Sequence, residues 1–211
     1  MTWQDINVFQ FQQIVKAREE KDSIERDSKL IAIINGWTER DVDSLPVYEF
    51  AKQKQKLNFL NDDISGKPVD YITVNGHRYK CIYDIRKINA ARYIESKTFA
   101  QELIPNLHKI AASLIHPMKK SLFSWKLDKY DASKHEDYAQ DMLEAKFVDV
   151  YHSVVFFYHV YRNWMEVSKG YLIAEMEKQG IMNPEKAVAD LLNIMDGSIV
   201  PKLLQTMKTS Q

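Results

Sequence analysis

The chain has 211 residues, 45% of them hydrophobic and 27% charged, with a formal net charge of zero. Those values suit a folded globular chain of one large or two small domains, able to bury about 70% of the surface its unfolded form exposes. Zero net charge argues against a strongly basic nucleic-acid binder, and a single cysteine, Cys81, rules out a disulfide framework and a Cys-cluster zinc site.

The lone thiol points to synthesis in a reducing cytoplasm. The start MTWQDINVFQFQQ lacks the basic and apolar regions of a signal peptide, so the chain is expected to fold where it is made. Charge is unevenly spread. About three negatives are in excess before Gly66, about seven positives over 67–129, and about four negatives from Asp131 onward. A basic middle segment of this kind suits an acidic surface on a neighbouring protein, and secondarily phosphate.

In chain order, Ile6, Val8, Phe9, Ile14 and Val15 mark a first amphipathic helix. A second is predicted over 23–34, closed by Asn35-Gly36, because glycine accepts the left-handed conformation of a helix C-cap. Thr38 can cap the amides of a short third helix. Leu45-Pro46 ends it, since a residue before proline avoids helical geometry. A fourth helix is expected to place Val47, Phe50, Leu57 and Leu60 on one side.

Residues 70–83 carry the convincing strand signal, with Asn75-Gly76 between two alternating runs. Asn-Gly fits the two positive-φ positions of a type I′ turn. Pairing Val74 with His77 puts Ile72, Val74, Tyr79, Cys81 and Tyr83 on an apolar face. Tyr71, Thr73, Arg78, Lys80 and Ile82 take the other. An isolated hairpin is marginal, so it must lean on helices or join another sheet.

Helical periodicity returns from Ala90, with Asn89 as cap and Phe99 as end; another helix is expected over 105–116, stopped by Pro117. Residues 119–129 are basic and aromatic and read as a loop or short helix. A helix then starts at Asp131, and the aromatic run 147–165 continues helically to about Gln179. That run is apolar on every side, so neighbouring protein must enclose it. Asp149, His152, His159 and Arg162 interrupt it, leaving no clean span of about 18 apolar residues for a membrane. A last helix is predicted over 184–195, with 198–211 as a docking tail. The expected fold is mainly α: a helical bundle around a buried aromatic helix, with one β-hairpin over about 70–83. Residues 1–63 form a small helical unit beside 67–211, or one domain continuous with it.

No phosphate-binding glycine loop, Gly-x-Ser-x-Gly elbow or His-Glu-x-x-His helix is present. Asp149, His152 and His159 are the best metal candidates, being spaced to share a helix face, but acidic partners for a di-iron bundle are missing. Their bland reading is as hydrogen-bonded groups inside helix packing. Cys81 and His77 lie about 13 Å apart along a strand, too far for a nucleophilic pair. No catalytic residue, cofactor or metal site is therefore expected. Eleven tyrosines and eight methionines instead suit buried interface centres.

The segments TWQDINVFQFQQI, KLIAIINGWTERDVDSLPVYEF and LNFLNDDI, then VNGHRYK and DIRKINAARYIESKTF, resemble small tailed-bacteriophage assembly proteins, tail assembly chaperones among them. YHSVVFFYHVYRNW is similar to segments of virion proteins of crAss-like phages of gut Bacteroides. The resemblance covers roughly the first hundred residues best, its motifs are short and degenerate, and it brings no catalytic residue with it. It implies a non-catalytic virion, tail or neck component, or a chaperone for one, made in the host cytoplasm and working among other phage structural proteins as a homo-oligomer or hetero-complex. Arg78, Lys80, Lys119, Lys120 and Trp125 are the expected partner surface. The alternatives are a nucleic-acid-contacting packaging factor and, last, a helical metalloenzyme.

Overall fold

A computed structural model describes residues 1–122, 124–186 and 188–189. The fold is mainly helical with one small antiparallel sheet. Residues Trp3–Asp5 form a single 3-10 turn, and α1 (Val8–Arg18) and α2 (Ser23–Asn35) follow. Asn7 and Gln10 cap α1 reciprocally, each side chain accepting from the other's backbone amide (2.7 and 3.1 Å). Gly36 closes α2 at φ 67°, where a side chain would be strained. Thr38 and Asp41 form the same kind of box at α3 (Glu39–Asp43), and Pro46 precedes α4 (Val47–Lys56).

Next come β1 (Tyr71–Val74) and β2 (His77–Cys81), then α5 (Ala90–Phe99) and α6 (Leu103–Ser113). After them stand β3 (Ile115–Lys120), β4 (Trp125–Leu127), α7 (His135–Glu144) and the long α8 (Phe147–Lys178). The β1–β2 register pairs Val74 with His77, with Asn75 and Gly76 at φ 51° and 76° as a type I′ turn requires.

Two expectations need correction. The helix predicted to reach His116 stops at Ser113, and the basic stretch read as loop or short helix forms β3 and β4, so the sheet has four strands in the order β1-β2-β3-β4. Pro117 in an internal strand hid this, since proline lacks a ladder donor. Its tolerance is geometric. In an antiparallel strand a residue's N–H and C=O point to the same neighbour. The Pro117 carbonyl accepts from Asp128 (2.9 Å), so its missing donor faces the end of the β4 ladder and leaves the β2 pairing intact. The second correction is Val47, 87% exposed and outside the core that Leu57 and Leu60 join from a 3-10 turn after α4.

The core is one continuous cluster running through residues of both 1–63 and the rest of the chain. Segments 6–8 and 145–147 pair as short extended stretches, Val8 donating to the Ala145 carbonyl and Phe147 to that of Ile6. Each stretch leads directly into a helix, which brings Phe147 of α8 to 3.9 Å from Phe11 of α1, ring stacked on ring, with Trp3 at 5.7 Å. The start of α8 is enclosed as its composition demands. Farther on, burial narrows to a stripe of Val154, Phe157, Tyr158, Tyr161 and Met165, while Phe156 and Trp164 stay partly exposed. Beyond Met165 one side of the helix is open, with Val167 76% and Tyr171 70% exposed, while Leu172, Ile173 and Met176 are half-buried. Among the described residues no helix is long and apolar enough to cross a membrane. Residues 184–186 and 188–189 are helical; the rest of the helix predicted to 195 and the tail over 198–211 lie outside the described residues.

Candidate functional site

The four strands contain no aspartate or glutamate, yet hold Arg78, Lys80, Lys119, Lys120 and Lys126. Directly paired residues share a face. The pairs Tyr71↔Lys80, Thr73↔Arg78, Lys80↔His116, Arg78↔Met118, Met118↔Leu127 and Lys120↔Trp125 therefore define one face. Four of the five residues expected at a partner surface, Arg78, Lys80, Lys120 and Trp125, meet there. The fifth does not: Lys119 pairs with Lys126 on the opposite face, because successive strand side chains alternate.

The opposite face is the one that packs. Ile72, Tyr79, Cys81 and Ile115 point into the core. Its polar anchor is Asp141 of α7, 8% exposed. This carboxylate accepts from Asn75 Nδ2 (3.0 Å), His77 Nδ1 (2.6 Å) and the Tyr79 hydroxyl. Burial pushes its pKa up, but the bonds from Tyr79, Asn75 and His77 outweigh that and hold it below the usual carboxylate value. Three donors from one hairpin thus clamp β1 and β2 onto α7, which turns the basic face outward.

A second buried charge fixes the start of β3. Arg92 of α5, 3% exposed, donates from Nε to the Ser113 carbonyl (2.9 Å) and from Nη2 to that of Ile115. Those carbonyls belong to the C-terminus of α6 and the start of β3, where a cation is favourable. Its guanidinium lies 3.9 Å over the Tyr130 ring. Burial holds the Arg92 pKa below its ordinary value.

The outward face itself is loosely partnered. Arg78 lies 4.3 Å over the Tyr71 ring, while its Nε, like His116 Nδ1, is buried without a hydrogen-bond partner. Burial, then the nearby Arg92, Lys80 and Lys87 cations, hold the His116 pKa down, so its ring is neutral at pH 7. None of the five basic strand residues forms an ion pair with a described residue. Apolar groups are interleaved: Met118 and Trp125 are half-buried, Leu127 is 56% exposed and Leu122, in the β3–β4 turn, 93%.

Of the other sequence candidates, Cys81 is buried, 3.8 Å from Ser153 Oγ, and burial pushes its thiol up to about 11. Asp149, His152 and His159 do not converge. His152 is half-buried beneath Gly66 and His159 is exposed. Among the described residues no three His, Cys, Asp or Glu side chains form a possible metal-ligand set. Asp141 and Arg92 escaped sequence reading because nothing local distinguishes a buried charge from the surface charges beside it on an amphipathic helix. The chain matches no known family model, no curated protein and no solved structure.

Proposed function

We propose that this protein acts by contact and not by catalysis, and that the outward sheet face is its docking surface. The observation that carries the reading is the composition of that face: Arg78, Lys80 and Lys120 without a single acidic neighbour in the strands, set among Met118, Trp125 and Leu127. Tryptophan, methionine and arginine are the residues favoured at protein interface centres. Uncompensated cations select a partner surface of opposite sign. The partner is then an acidic face of another structural protein or of a second copy. This is the work of a virion, tail or neck component, or of a tail assembly chaperone, the class the sequence resembles. Such a protein is made in the host cytoplasm and can end in the particle.

A second reading rests on the same face. Tyr71 and Trp125 alternate with cations as they do on sheets that stack single-stranded bases. It ranks lower because Arg78 already covers one side of Tyr71 and exposed leucines flank Trp125.

Charge reversal tests the face. Arg78→Glu with Lys80→Glu should eliminate the partners captured by affinity purification from the native source. Lys119→Glu with Lys126→Glu, on the other face, should leave them in place. Equal capture by both variants, each with unchanged circular dichroism, refutes the docking face. Binding of oligothymidylate that falls steeply with salt would promote the second reading.

A further inference from the structure

An open cleft of about 960 Å³ lies between α1, α2 and the start of α3, joined by Glu144 from the end of α7. Apolar surface is bare there. Phe9 is 48% and Trp37 39% exposed, with Ile33 half-buried between α1 and α3. No strand residue lines the cleft, so it is a surface distinct from the sheet face.

The charges of the cleft are unbalanced in the sense opposite to those of the sheet. Glu19, Glu20, Glu39 and Glu144 line it against Lys16 and Lys29. Lys29 is already held by Glu20 at 2.8 Å and Glu25 at 2.7 Å. Glu19, Glu39 and Glu144 are exposed and form no ion pair with a described residue. Two of them stand where local structure disfavours them. Glu19 caps the C-terminus of α1 and Glu144 ends α7, so each carboxylate meets the negative end of a helix dipole. Folding does not call for acid at either place; a contact with cations does. The whole chain carries no net charge, so the cations gathered on the sheet are balanced by acid elsewhere on the same molecule.

We propose that this cleft receives the basic sheet face of a second copy of the chain. The proposal rests on the reading of that face as a docking surface and names its partner. Lys80 and Lys120 meet Glu19, Glu39 and Glu144, while Trp125 and Leu127 cover Phe9 and Trp37. Opposite charges set the register, and aromatic and aliphatic groups fill the centre. The two patches differ, so the contact is heterologous: every copy keeps one free face or cleft, and copies add head to tail into a ring or filament.

Sedimentation velocity of the full-length protein at about 100 μM in about 50 mM salt should show species above the monomer that grow with concentration. They should dissociate in about 1 M salt, where screening acts within about 3 Å. Lys80→Glu with Lys120→Glu reverses the face, and Glu19→Lys with Glu144→Lys reverses the cleft at helix ends that accept lysine. Each pair is exposed, and each variant, with unchanged circular dichroism, should weaken association about tenfold or more. An equimolar mixture of the two variants should associate again, because the native face of one meets the native cleft of the other. A monomeric wild type, undiminished association in either variant, or a mixture that stays monomeric overturns the proposal. If the wild type is monomeric while Arg78→Glu with Lys80→Glu still loses its captured partners, the docking face stands and only the second copy falls.

Discussion

Replacing Asp141 by alanine tests how the sheet is held. The variant strands three donors at once, but they are not equivalent. Asn75 and His77 are exposed and can turn to water, so each bond lost there costs about 0.5–1 kcal/mol. Tyr79 is 3% exposed and its hydroxyl has no such escape. Losing a bond to a charged acceptor, with the donor left buried, costs about 1.5–3 kcal/mol. Together Asp141→Ala should destabilise the fold by roughly 3–4 kcal/mol, a large part of the 5–15 kcal/mol typical of a domain. For a chain this size the melting temperature should fall on the order of 10 °C. Urea denaturation followed by circular dichroism measures it, and a double-mutant cycle with Tyr79→Phe should return a coupling of about 1–2 kcal/mol. The pH dependence follows from the same bonds. The folded carboxyl titrates below its unfolded value of about 3.9, so its contribution is complete well above that pH. It disappears as the pH falls from there through the lower folded value. The gap between wild type and Asp141→Asn should close over that acid range. A loss under 1 kcal/mol in Asp141→Ala at pH 7 would refute the clamp.

Arg92→Met keeps most of the side-chain volume but removes the donors to the Ser113 and Ile115 carbonyls. A loss of about 2–4 kcal/mol is expected in chemical denaturation, with faster amide exchange at the start of β3. Gly66→Ala would set a methyl 2.6 Å from both His152 Cδ2 and Val148 Cγ1, so a penalty of about 1–3 kcal/mol should appear in the same assay. Cys81 should react with a disulfide reagent at pH 8 at least about 100-fold more slowly in the native protein than in urea, since burial both hides the thiol and raises its pKa to about 11. A fast native reaction would show that the β2 end of the core opens readily.

Much of the architecture was legible because it is local. Asn75-Gly76 dictated its turn and register, Asn35-Gly36 its helix stop, and Asn89 and Thr38 their caps, since each acts on backbone within a few residues. The aromatic run 147–165 disclosed an enclosed helix because apolar residues fall on every side of it, although Phe156 and Trp164 stay partly exposed. The candidate surface was half legible. Basic and aromatic residues could be collected from the chain, but without β3 and β4 their alternation could not be assigned. Lys119 was grouped with Lys120 although adjacent strand residues face opposite ways.

Composition and short-range pattern thus determined a helical body, one hairpin and a basic middle segment. The pairing of β3 with β2 across a proline, the burial of Asp141 and Arg92, and the cleft between α1 and α2 were decided only by tertiary structure. The physical reason is separation along the chain. Asp141 meets Tyr79 from 62 residues away and Arg92 reaches Ile115 from 23, and neither contact leaves a periodic or neighbouring trace in the sequence.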